Sequence, residues 1–265
     1  MKKMKSSTVI VLFLLTFCSI KAQDATKDKG DIVTDRPDAT ESPTTVPKRY
    51  LQVETGGFFT SFEENNIKYE NYVYNTTLLR YGLLDNLELR VGWNLEDQQV
   101  KINSQQVGDG LQGLSPLLFG MKVAIAEENG CMPEIGLVGH IFLPFTASSD
   151  FKPETTAVDF RFAFGHTLND KSSLSYNLGA QWSDASPEAA YVYTIAYGYA
   201  FTDKFGGYAE LYGDMPENHS ANHFWDAGLT YLLKPSIQLD ATVGTSITAG
   251  QDILVSAGIS FRLPN

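Results

Sequence analysis

Cysteine is almost missing from this sequence, and so is any surplus of positive charge. The 265 residues include two Cys, at positions 18 and 131, and 20 Lys+Arg against 31 Asp+Glu, for a formal charge of -11. So little cysteine excludes a disulfide-stapled scaffold. The acidic balance excludes the Lys/Arg-rich surface that phosphate backbones require, so no nucleic-acid partner is expected. Charged residues make up only 19% of the chain, whereas 43% is hydrophobic and 12% aromatic. That much apolar material, evenly spread, excludes disorder for the bulk of the chain. Nowhere is there an apolar run of the roughly 20 residues that a membrane-spanning helix needs.

The apolar run that does exist, Val9 to Phe17, is short. It follows Lys2, Lys3 and Lys5 and precedes Ser19-Ile20-Lys21-Ala22 and Gln23. This is the layout of a signal peptide over residues 1–22. Phe17 stands where lipid modification of Cys18 would need a small residue. Cleavage after Ala22 removes four lysines and leaves 16 basic against 31 acidic residues, net -15, with Cys131 as the one remaining thiol. The exported fold is therefore expected to stand without disulfides. If it stands in a membrane it must be a β-barrel, the other structure that satisfies every backbone group in lipid.

Residues 23–49 are polar and carry Pro37, Pro43 and Pro47, which predicts an extended N-terminal segment. From Tyr50 the pattern has a period of two. Leu87, Leu89, Val91, Trp93 and Leu95 alternate with Glu88, Arg90, Gly92 and Asn94; Val158, Phe160, Phe162 and Phe164 alternate with Asp159, Arg161, Ala163 and Gly165. Such alternation marks strands with one greasy and one polar face. About twelve strands are predicted, near 50–60, 69–81, 86–95, 115–126, 132–143, 157–168, 172–183, 189–201, 205–213, 223–233, 236–245 and 252–263. Most have about the ten residues that a tilted strand needs to cross a bilayer.

The connections alternate as well. Gly82 to Asp85, Glu127 to Cys131, Asn169 to Lys171, Thr202 to Lys204 and Lys234-Pro235 are tight. Ser61 to Lys68, Glu96 to Leu114, Pro144 to Thr156, Asp184 to Glu188, Asp214 to Asn222 and Ser246 to Gln251 are mostly longer and polar. Short turns at one end, longer loops at the other and an even strand count predict an all-β, transmembrane antiparallel up-and-down barrel over 50–265 with periplasmic termini. The alternative is a secreted β-sandwich binding protein. Sandwich strands average nearer five or six residues, and a sandwich does not need aromatics such as Tyr50, Tyr81, Trp93, Trp182, Phe201 and Trp225 at strand ends, where a barrel places its interfacial girdles.

Thr34-Asp35-Arg36-Pro37-Asp38, Glu41-Ser42-Pro43 and Val46-Pro47-Lys48 before Gln52-Val53-Glu54-Thr55-Gly56 resemble the start of an outer-membrane barrel family labelled "transporter" or "MetA-pathway of phenol degradation". Leu229-Thr230-Tyr231-Leu232-Leu233, Leu239 to Gly244 and Gly258-Ile259-Ser260-Phe261-Arg262 look like its closing strands. The likeness runs from about residue 30 to the end. It implies a barrel among outer-membrane lipids, inserted by the outer-membrane assembly machinery. It also implies uptake or export of a small-molecule solute, with aromatic or weakly hydrophobic solutes as a candidate class. Such chains commonly finish on an aromatic residue; this one finishes Phe261-Arg262-Leu263-Pro264-Asn265.

If Leu89, Trp93, Phe160 and Trp182 face lipid, the opposite faces point Glu54, Glu88, Arg90, Lys122, Glu134, Asp159, Arg161, Glu210, Asp226, Asp240 and Arg262 into the lumen. A barrel of about twelve strands lies between side-chain-filled and open sizes, so these charges either line a slim pore or pair and close it. Glu88/Arg90 and Asp159/Arg161, about 7 Å apart along one strand face, are spaced for pairing. Asp35, Arg36 and Asp38 are candidate plug residues if the segment folds into the lumen; the alternative is a periplasmic tail. No catalytic group is expected: Glu134 and His140 share a face but lie about 20 Å apart along a strand, and no GxSxG or phosphate-loop motif appears. His166 is expected to face outward near a turn. His219 and His223 read as a solvated loop rather than a metal pair, and neither a metal nor a cofactor is implied. A closed barrel serving as a structural or surface-interaction protein is the rival to transport.

Overall fold

The computed structural model describes residues 30–183 and 188–264. The predicted signal peptide and most of the Asp184 to Glu188 connection lie outside the described residues. The long strands are β1 (Tyr50–Glu64), β2 (Ile67–Leu84), β3 (Leu87–Ile102), β6 (Leu117–Ala126), β7 (Glu134–Leu143), β8 (Ala157–Asn169), β9 (Ser172–Trp182), β10 (Ala190–Ala200), β11 (Phe205–Pro216), β12 (Asn222–Lys234), β13 (Ile237–Ser246) and β14 (Ile253–Pro264). Two short ones, β4 (Gln105–Gln106) and β5 (Leu111–Leu114), pair with β3. Each long strand pairs antiparallel with its neighbour, and β14 returns to β1 from Tyr50↔Pro264 to Ser61↔Ile253. The sheet is thus a closed twelve-stranded barrel, in which no long strand leaves a free edge.

Period two decides which way each side chain points. Phe119, Met121, Leu178, Tyr197, Leu229 and Val243 are exposed on the outside, whereas Glu54, Arg80, Glu88, Arg90 and Lys122 are at most 1% exposed. This inverts a water-soluble fold: the apolar surface is left for lipid, and the interior is polar.

The strands run further than the apolar alternation shows. Residues 61–68 and 96–102, expected as connections, are ladder. β1 and β2 stay paired to Glu64↔Ile67 and turn on Asn65-Asn66 at φ 52 and 63. Asparagine tolerates positive φ, and a two-residue turn of this kind matches the twist of the flanking strands. β3 continues opposite β2 to Ile102. Beyond the bilayer neither face of a ribbon has to be apolar, so the hydrophobic period fades while the backbone pairing continues.

Candidate functional site

Residues 30–49 are held against the inner wall at both ends and between. The Ile32 amide donates to the Pro235 carbonyl at 2.8 Å, in the β12–β13 turn, and the Arg49 amide to the Gly82 carbonyl at 2.7 Å. The Gln52 side chain donates to the Val33 carbonyl at 2.7 Å, and the Arg262 guanidinium to the Gly30 carbonyl at 2.6 Å. Pro37, Pro43 and Pro47 supply no amide donors. Apart from these end contacts and an isolated bridge between Lys48 and Gly82, the segment is bonded largely by side chains of the wall. Glycine gives it room: a Cβ at Gly136 would lie 2.7 Å from the Pro43 carbonyl oxygen, and one at Gly82 would overlap the Pro47 carbonyl.

A cationic wall meets this segment on β2, β3 and β6. Arg80 and Arg90 are direct cross-strand partners, and Glu88 lies opposite Lys122. Asp35 accepts both Lys122 Nζ and Arg90 Nη1 at 2.8 Å and lies 3.0 Å from Arg80 Nη1. Arg80 also bonds Glu88 at 2.9 Å and Glu54 at 2.8 Å, and Arg90 Nη2 bonds Glu41 at 2.9 Å. Three cations thus share four carboxylates, two from the wall and two from the segment. Burial pushes the Asp35 carboxyl up, but Arg80, Lys122 and Arg90 together hold it well below the usual range.

The other predicted wall residues fall into separate contacts. Arg36 reaches Asp240 at 2.9 Å, its guanidinium seated between Gly56 and Gly258. Glu134 accepts from Thr44 at 3.1 Å, and the Glu88 carboxylate accepts the Val46 amide at 2.8 Å. Glu210 accepts the Ala39 amide at 2.8 Å and the Thr40 hydroxyl, and it lies directly opposite Asp226 in the β11–β12 ladder. Asp38 belongs to this acidic side, where burial and the Glu210 carboxylate push it well above its ordinary value.

The expected in-strand pairs are only partly formed. Glu88 lies 3.3 Å from Arg90 but is bonded more closely by Arg80. Asp159 pairs with His140 at 2.8 Å, while Arg161 donates to the Ala39 carbonyl at 3.2 Å. A side chain two residues along one strand competes with one directly across the ladder, and Asp159 is directly across from His140. His140 therefore has its acidic partner on β8 and not in Glu134. His166 stacks near Tyr176 at 6.0 Å, and His223 lies within β12, 2.8 Å from the Tyr193 hydroxyl. Among the described residues no group of three His, Cys, Asp or Glu is placed to hold a metal ion.

Arg80, Glu41, Gln52 and Asn177 were missed by the sequence reading. Asn177 clasps the Glu41 backbone, accepting its amide at 2.7 Å and donating to its carbonyl at 2.9 Å. The signal for Arg80 was available: it shares parity with Gly82, between the outward Leu79 and Tyr81.

The family model described as "Putative MetA-pathway of phenol degradation" matches residues 34–263. The chain belongs to this family. Its fold is similar to that of the COG4313 outer membrane channel from Pseudomonas putida F1, with a TM-score of 0.65, 14% identity, and coverage of 86% of this chain and 99% of that one. The KdgM porin in complex with oligogalacturonate follows at a TM-score of 0.52 and 10% identity, over 79% and 98% of the two chains. The translocator domain of the autotransporter NalP from Neisseria meningitidis gives a TM-score of 0.53 and 10% identity, over 81% and 88%. No curated protein matches the chain by sequence. At these identities the structural neighbours report a shared barrel fold.

Proposed function

We propose that this protein is an outer-membrane channel for small, non-anionic solutes, exported by its signal peptide and closed in its resting form by residues 30–49. The observation that carries the reading is the wall cluster: Arg80, Arg90 and Lys122 are neutralised in large part by Asp35 and Glu41, which belong to the segment and not to the barrel. A permanently filled barrel would be served as well by carboxylates on the strands, whereas borrowed carboxylates can leave. Family membership and the fold shared with an outer membrane channel support the reading. When the segment leaves, Glu54, Glu88, Glu134, Asp159, Glu210, Asp226 and Asp240 remain on the wall against Arg80, Arg90, Lys122, Arg161 and Arg262, and this acidic balance in a narrow low-dielectric pore disfavours anions.

The test is single-channel conductance in planar bilayers of the mature protein with and without residues 23–49, each first shown to migrate as a heat-modifiable barrel. Conductance that rises on deletion and favours cations is expected. Silence in both forms would leave the closed structural barrel.

A further inference from the structure

Arg161 and Asp214 face one cavity of about 250 Å³ at the loop end of the lumen, and among the described residues neither has an ion-pair partner. Elsewhere on the inner wall and its segment, Arg36, Arg80, Arg90 and Lys122 each reach a carboxylate at 2.8 or 2.9 Å. Arg161 instead donates to the Ala39 carbonyl at 3.2 Å, which leaves the rest of its guanidinium free. Asp214 accepts the Asn222 side-chain amide at 3.1 Å to each oxygen.

Register keeps the two charges apart. Arg161 lies opposite Gly179, Gly179 opposite Val192 and Val192 opposite Asp214, a single row across β8, β9, β10 and β11 on the inward face. Three strand spacings separate their Cα atoms by about 14 Å. The arginine stem crosses Gly179, where a Cβ would lie 2.9 Å from Arg161 Cγ. Aspartate is too short to close the remainder, so the two groups bracket a gap over Val192. Beside that gap Tyr212 and Phe224, direct partners across the β11–β12 ladder, stack with centroids 5.2 Å apart and give the cavity a flat apolar side.

The charges select the ligand. An anion would meet Arg161 but face Asp214 and, further along β11, Glu210. A cation would meet Asp214 but face Arg161. A molecule with both an ammonium and a carboxylate satisfies both groups: guanidinium pairs bidentately with carboxylate, and the Asp214 carboxylate has lone pairs beyond those that Asn222 takes. The volume lies below the range of drug-sized ligands, which limits the rest of the molecule to a short chain.

We infer that this cavity captures a small zwitterion, an α-amino acid with an apolar side chain. Its carboxylate sits on Arg161, its ammonium on Asp214 and its side chain against Tyr212 and Phe224. All four residues belong to strands, and Ala39 of the segment lines the cavity from below, so the closed barrel can bind. Passage of the captured solute rests on the channel reading, whose non-anionic class it narrows; binding does not.

The test therefore measures binding, and its failure and that of the conductance experiment are distinct. Calorimetric titration of the detergent-solubilised mature protein compares L-leucine with isopentylamine, which lacks the carboxylate, and isocaproate, which lacks the ammonium. L-Leucine is expected to bind about tenfold or more tightly than either analogue, because each analogue forfeits hydrogen bonds between charged groups. Arg161→Gln should lower L-leucine to the affinity of isopentylamine, and Asp214→Asn should lower it to that of isocaproate. Heat-modifiable migration of each variant confirms a folded barrel. Equal affinity for either analogue, L-leucine binding unchanged in either variant, or no saturable binding would each overturn the site.

Discussion

Arg80 and Arg90 face each other across the β2–β3 ladder, two guanidinium groups in register on the inner wall. Directly opposed like charges destabilise a sheet, so the pair stands only because carboxylates reach both. Asp35 touches each, at 3.0 and 2.8 Å. The barrel thus carries a local excess of positive charge that its own N-terminal segment completes.

Asp35→Asn keeps the shape of the side chain and removes the charge shared by three cations. Breaking one side of a buried ion pair costs about 3–5 kcal/mol. Because Asp35 sits on the segment, the loss is expected first as undocking and only then as barrel unfolding. Trypsin should therefore cut after Lys48 and Arg49 in the variant under conditions where the wild type resists. Unchanged resistance would show that the cluster does not hold the segment.

Gly82→Ala probes the same docking from the barrel side. Its Cβ would overlap the Pro47 carbonyl, a backbone atom that cannot swing aside. The expected result is a displaced segment on an intact barrel: faster trypsin cleavage after Lys48 with unchanged heat-modifiable migration. Gly92→Ala, whose nearest neighbour would be the Thr77 carbonyl at 3.3 Å, should leave the cleavage rate near that of the wild type.

Arg80 is the wall residue whose loss should cost most. Arg80→Leu leaves Glu54 and Glu88 buried with one partner fewer each, at about 3–5 kcal/mol. Adding Glu88→Gln should return part of that, since one uncompensated charge is gone. A lowered midpoint of heat-induced band shift in the single variant, partly restored in the double, is expected; strict additivity would mean the two groups are not coupled.

The transmembrane part of the fold was legible because lipid imposes a strict rule: Leu89, Val91 and Trp93 must face out, so Glu88 and Arg90 must face in. Where that rule lapses, so did the reading. Residues 61–68 and 96–102 are strand without an apolar face, held by backbone pairing that has no sequence period. In the lumen the composition of the wall was legible but its pairing was not. Asp159 chooses between Arg161 on its own strand and His140 across the ladder, and register alone decides that. Arg80 was legible from its parity with Gly82 but was obscured by Leu78, an apolar residue two positions before it on the same inward face.

The loop end is expected outside the cell. An epitope inserted at Asn103-Ser104, a turn at φ 49 and 65 beyond the paired part of β3, should bind antibody on intact cells. One at Asp170-Lys171, in the tight β8–β9 turn, should bind only after the outer membrane is opened. The reverse pattern would put the termini outside.

Asp35 and Asp38 give the segment two opposite responses to pH. The Asp35 carboxyl is held well below its ordinary value, so its contribution to docking is present above the ordinary carboxylate range and is lost as pH falls through the depressed value. The Asp38 carboxyl is pushed well above its ordinary value by burial and by Glu210, with Asp226 and Asp35 adding to it. Its contribution is complete at low pH and is lost as pH rises through the raised value, when a further negative charge appears among Glu210 and Asp226. Docking should therefore be firmest between the two displaced values, around the ordinary carboxylate range, with conductance of the mature protein rising on either side. Asp38→Asn removes the alkaline limb and leaves the acid limb in place. A conductance profile in which Asp38→Asn shifts the acid limb, or leaves the alkaline one, would mean that this carboxyl does not oppose docking.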